Sequence, residues 1–184
     1  MTTGTGNQDG IHIEGGSRIA ITNCVLTTGD DCIVLAQQLQ TPQAKTDMSD
    51  IVISNCYLKS SVANGIRLEV STGQTPSTRT LRRVRISNCT IIGGAQVNSG
   101  TSSYGGIQIA DSTNGGKLTD VVVENVHVDA SASLAEAVNI QWGQRVTLSN
   151  VTVKDPLGPG FRINGATDIK MIGCESTGTR GVTQ

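Results

Sequence analysis

Aromatic residues are almost missing from this sequence: one Trp, two Tyr and one Phe among 184 residues. A compact core of the ordinary kind is built on larger side chains, so this palette points to a thin, regular interior. Charge of either sign is also scarce. The formal net charge is -1, which leaves no electrostatic footprint for nucleic acid or an anionic membrane. No apolar run approaches the ~18 residues of a membrane-spanning helix. The N-terminus lacks the basic and then apolar pattern of a signal peptide. The five Cys are odd in number and none forms a Cys-x-x-Cys pair, so no zinc or dithiol motif is present. Cys24, Cys56, Cys89 and Cys174 sit in or beside apolar alternation and are expected as buried thiols.

What the chain does have is Gly, at 22 residues, and a repeat. The segments RIAITNCVL, DIVISNCYL, RVRISNCTI, DVVVENVHV, RVTLSNVTV and DIKMIGCES recur in order. Each alternates apolar and polar residues and then reaches Asn23, Asn55, Asn88, Asn125, Asn150 or Gly173. A second series, DGIHIEG, DDCIVLA, NGIRLEV, GGIQIAD, EAVNIQW and GFRINGA, also alternates with period two, as a strand with one buried face does. Hairpins do not put the same Asn at the same place in every unit; stacked coils do. The expected fold is all-β: a right-handed parallel β-helix of about six coils, with residues 1–184 as one domain. Asn residues in such a stack are expected to bond to their neighbours above and below, meeting the polar needs of a turn. The stretches Ala36–Asp50, Ser71–Leu81, Gly93–Tyr104 and Asp129–Leu134 break the repeat and read as loops.

The candidate site follows from that stack. Asp9 opens DGIHIEG and the pair Asp30-Asp31 opens DDCIVLA about one coil later, so stacking brings three carboxyls together. Like charges this close raise at least one pKa and keep a proton available. A protonated acid beside an ionised base is what glycosidic cleavage uses, and an inverting pair stands roughly 6.5–9.5 Å apart. His12 and His127 have no clustered partners and read as ordinary strand-face residues. Trp142 and Tyr104 lie near loops, where packing under an insertion is expected ahead of sugar stacking.

NQDGIHI followed by TGDDCIVL resembles the N-T-D and G-D-D motifs of glycoside hydrolase family 28, the polygalacturonase-like pectinases, with Gln8 in place of the Thr. The resemblance implies the same β-helix and an inverting hydrolytic centre. It assigns Asp30 as general acid and Asp9 and Asp31 to water activation. No metal or other cofactor is implied. The substrate implied is pectin or a related polysaccharide, and the setting extracellular. The family's G-H-G turn is Ala63-Asn64-Gly65 here, without the His. Its substrate-holding R-I-K strand corresponds either to Arg67 and Glu69 or to Gln108 and Ala110. Asn64, Arg67 and Gln108 are thus the expected substrate-binding residues, and ANGIRLEVSTG is similar to the divergent bacterial branch of the family. A second reading stays open: a non-catalytic carbohydrate-binding or structural β-helix, like a tailspike or adhesin. Because Asp9 stands so early, the chain is also expected to be a fragment, or to have its first coil capped by a partner.

Overall fold

The computed structural model describes residues 8–37, 46–70, 79–93, 105–113, 116–131, 136–154, 158–177 and 182–183. Every strand pair among them is parallel. One sheet stacks seven strands in chain order: Ile11–Ile13, Ile33–Gln37, Ile66–Val70, Ile107–Asp111, Val138–Gln141, Phe161–Asn164 and Val182–Thr183. The first six define coils one to six, and the seventh begins another rung. The expected right-handed parallel β-helix is therefore the fold. No helix long and apolar enough to cross a membrane occurs among the described residues.

The second sheet has ten strands and wraps the other two sides of each coil. In coils one to three the wrap is made by strand pairs such as Met48–Ser54 and Tyr57–Ser60, broken at Asn55. In coils four and five single strands, Leu118–Asp129 and Gln144–Lys154, run through the corner. The corner is a left-handed residue in every coil: φ is 56° at Asn23, 54° at Asn55, 52° at Asn88, 51° at Asn125, 52° at Asn150 and 57° at Gly173. Asn tolerates this region and Gly occupies it freely, which is why those two residues share the position. The stack is as expected, and Asn150 Nδ2 donates to Asn125 Oδ1 at 3.1 Å. Its role differs from the expectation, because these Asn side chains are exposed. They serve a backbone conformation and satisfy no buried turn.

A second left-handed column was not anticipated. Arg18, Asp50, Arg83, Asp120, Arg145 and Asp168 all have φ between 52° and 60°. The charges alternate up the stack. Arg83 clamps Asp50 with bonds of 2.6 and 2.9 Å, and Arg145 clamps Asp120 with the same two lengths. These hydrogen bonds hold both carboxyls below the usual carboxylate range.

The interior is aliphatic. Ile33, Leu35, Ile53, Leu58, Leu68, Ile86, Val123 and Leu148 are fully buried. Each Ile or Leu removed from water contributes about 1.5–3 kcal/mol before the entropy of ordering is subtracted. The turn into the first sheet is tight. A Cβ on Gly65 would stand 2.2 Å from Ile91 Cγ2, and one on Gly106 2.3 Å from Val128 Cγ1. Cys32 and Ala137 are the small residues of that column in other coils. Cys32, Cys56 and Cys89 are buried, whereas Cys24 and Cys174 are half-buried. The expectation of burial fails at those two because each adjoins a strand, Val25–Thr28 or Glu175–Ser176, that pairs on one side only.

Two outcomes test this account. Asn88→Ala should cost about 1 kcal/mol of stability in chemical denaturation, whereas Asn88→Gly should cost less, because only the first puts a Cβ-bearing residue without Asn's tolerance at φ 52°. Under native conditions a thiol reagent should label Cys24 and Cys174 well before Cys32, Cys56 and Cys89, read by mass spectrometry of peptides.

Candidate active site

The registers of the first sheet run Ile11↔Ile33↔Ile66↔Ile107↔Val138. Extended by two residues toward the strand starts, they place Asp9, Asp31, Asn64, Gly105 and Glu136 in one column. Asp30 precedes Asp31 at the turn. The three Asp residues do come together: one carboxylate oxygen from each lies within 4.8 Å of the others. That is tighter than the separation expected of an inverting pair. It suits a single water bonded to two of the carboxyls, since two O–H···O bonds of ~2.7–2.8 Å span about this distance.

Each carboxyl is held differently. Asp31 is 2% exposed. Its Oδ1 accepts the backbone N–H of Asn64 at 2.7 Å and Asn64 Nδ2 at 2.9 Å. Its Oδ2 faces Arg67 Nη1 at 3.5 Å. Burial pushes the Asp31 carboxyl above its ordinary value, and the nearby Asp30 adds to this, despite the opposing pull of Asn64 and Arg67. Asp30 is anchored by its main chain: its carbonyl accepts Thr28 Oγ1 at 2.6 Å and Ser60 Oγ at 2.8 Å. Its Oδ1 accepts the N–H of Asp31 at 3.0 Å. Asp9 Oδ2 lies 2.8 Å from His12 Nδ1, and His12 Nε2 lies 3.7 Å from Glu14 Oε1.

The expected substrate-binding residues fare unequally. Asn64 is fully buried and its amide is used within the protein. Besides Asp31 it reaches Gln108 Oε1 at 3.3 Å, and its Oδ1 accepts the N–H of Gly105 at 2.9 Å. In this structure Asn64 thus holds Asp31 in place. Arg67 and Gln108 do lie on the outer face of the sheet, both partly buried. Arg67 pairs with Glu69 as well as Asp31. His12, read from sequence as a plain strand-face residue, is the site residue that reading missed. Its phase, outward and three residues after Asp9, was the available signal. Trp142 is 39% exposed, and its ring lies against Gly165, so close that a Cβ there would clash with it. Tyr104 lies outside the described residues.

Three carboxylates also suit a hard cation. Against that, Asn64 already takes Asp31 Oδ1 twice and Arg67 brings a positive charge to Oδ2.

Known proteins agree with this architecture. The family described as "Right handed beta helix region" matches residues 43–182. The chain is 23% identical to an exopolygalacturonase of Zea mays over 191 residues, covering 92% of this chain and 45% of that protein. It thus spans less than half the length of this curated relative.

The Asp31 environment yields a signed pH effect. Its folded pKa is raised from 3.8, so between that value and the raised one the folded chain holds a proton that the unfolded chain has released. The stability this group contributes is present below that ordinary value and is lost as pH rises through the raised one. Asp31→Asn has no such loss. In denaturant titrations at several pH values, the stability of Asp31→Asn relative to the parent should therefore increase as pH rises. A difference that stays flat or runs the other way would show that Asp31 does not carry this proton.

Proposed function

Because the chain belongs to the right-handed β-helix family, whose coils bring successive turns into one column, we propose that its acid column hydrolyses glycosidic bonds of a polysaccharide. The single observation carrying this reading is the convergence of Asp9, Asp30 and Asp31 from two neighbouring coils within 4.8 Å. Similarity to a protein named exopolygalacturonase supports a carbohydrate substrate and an extracellular setting.

In the proposed mechanism the three carboxyls act together on one bound water and one glycosidic oxygen. Asp30 is only partly buried and donates to the departing glycosidic oxygen. Asp9 and Asp31 hold the attacking water between them. The raised pKa of Asp31 strengthens it as a base when ionised. Asn64 and Arg67 fix Asp31, and His12 fixes Asp9. The C–O bond to the leaving sugar breaks as water oxygen bonds to the anomeric carbon; one water proton passes to the cluster and one cluster proton passes to the leaving oxygen. Inversion is the finer part of the proposal.

Product release from pectins and neutral glycans tests it. Asp30→Asn and Asp9→Asn should each lower the rate by at least ~100-fold while the thermal midpoint moves little, because both groups lie at the surface end of the coil. The optimum of the parent should lie on the acid side, and NMR of the first product should show the inverted anomer. Near-full activity in Asp30→Asn would remove Asp30 from the chemistry. A parent that binds glycan but releases no product from any would leave the binding solenoid as the reading.

A further inference from the structure

The outer face of the first sheet continues beyond the acid column. Arg67, Gln108, Asn139 and Arg162 occupy one row there, in coils three to six. A row carrying two Arg residues looks ready for an anionic sugar. The pairings deny this. Arg67 is shared between Asp31 and Glu69. Arg162 Nη1 donates to Glu136 Oε1 at 2.6 Å, and Glu136 is itself buried. His12 stands between Asp9 and Glu14. With Asp30 added, carboxyls outnumber guanidiniums on this face among the described residues. A polyuronate laid here would meet more negative charge than positive, and like-charge juxtaposition opposes binding.

Asn139 supplies the second observation. It alternates with Val138 and Ile140, which both lie in the core, so its side chain belongs to the outer row. It is 1% exposed, and neither its Oδ1 nor its Nδ2 has a hydrogen-bond partner among the described residues. Arg67 Nε is in the same condition. A buried amide with an unmet donor and an unmet acceptor has given up its water bonds without replacement, and a ligand that supplies both is favoured there. A hydroxyl is both donor and acceptor and meets either need; a carboxylate meets only the donor.

We propose that this face takes an uncharged, hydroxyl-bearing glycan, and that Asn139 is a hydroxyl-binding position two coils beyond Arg67. The proposal rests on the glycan-hydrolase reading of the acid column and narrows it, placing the substrate outside the uronic acids. The chain of the glycan runs along the solenoid axis from Asp31 toward Asn139, crossing coils at ~4.8 Å each.

Calorimetric titration of the Asp30→Asn variant separates this from the hydrolytic reading, because no turnover is measured. The probes are an oligogalacturonate and the same oligomer with its carboxyls reduced to primary alcohols. The reduced oligomer should bind at least about tenfold tighter at low salt, with the gap narrowing as salt screens the repulsion. Adding Asn139→Leu should weaken the reduced oligomer by about tenfold and leave a disaccharide, too short to reach coil five, unaffected. Asn139→Ala serves if the Leu variant does not fold. Equal or tighter binding of the uronate, binding of neither oligomer, or an unchanged affinity in the Asn139 variants each overturns the proposal. Failure of the acid column to cleave any glycan would show in product release by the parent and would leave these affinities as they are.

Discussion

Everything in this molecule depends on the backbone hydrogen bonds between one coil and the next. They are parallel and in register, so a residue is committed to a column as soon as its neighbours along the chain are paired. A side chain then meets the same position of the coil above and below before it meets anything else. This makes columns the natural unit: aliphatic columns inside, a column of left-handed Asn at one corner, alternating Arg and Asp at another, and acids at the mouth of the first sheet. It also explains how four aromatic residues suffice. The interior is never wider than one coil, and Ile, Leu and Val fill it.

The acid column illustrates how the same constraint serves chemistry. Stacking alone would set Asp9 and Asp31 a rung apart, exposed and alike. Their difference comes from what surrounds them. The main chain and amide of Asn64, itself held by Gly105, bind Asp31 from the next coil, whereas Asp9 keeps contact with solvent and with His12. One column thereby contains a carboxyl reluctant to ionise beside others that are not enclosed in the same way.

Much of this was legible in the sequence, because a column is a repeat. The fold, the corner Asn residues and the meeting of the three Asp residues all follow from recurrence at coil-length intervals. Depth is not written in that way. Whether Asn64 reaches substrate or is sealed beneath it depends on Gly105 and Gln108, some forty residues along the chain. The half-burial of Cys24 likewise depends on which strands flank its rung, which alternation does not encode. The Arg and Asp column is written in the sequence too, since the six repeat segments begin R, D, R, D, R, D, but it is less legible because this position repeats by changing sign.

That alternation gives the solenoid a parity. The backbone, the Asn corner and the aliphatic interior all repeat every coil, so none of them distinguishes a chain paired correctly from one slipped by a whole turn. The charged column repeats every second coil. A slip of one turn sets Asp50 against Asp120 or Arg83 against Arg145, like charge against like, in place of the clamped pairs. A slip of two turns restores every pair. The smallest length of sequence that can be duplicated or lost while the column stays neutral is therefore two coils, and an architecture that looks modular at one turn is, in its charge, modular only at two.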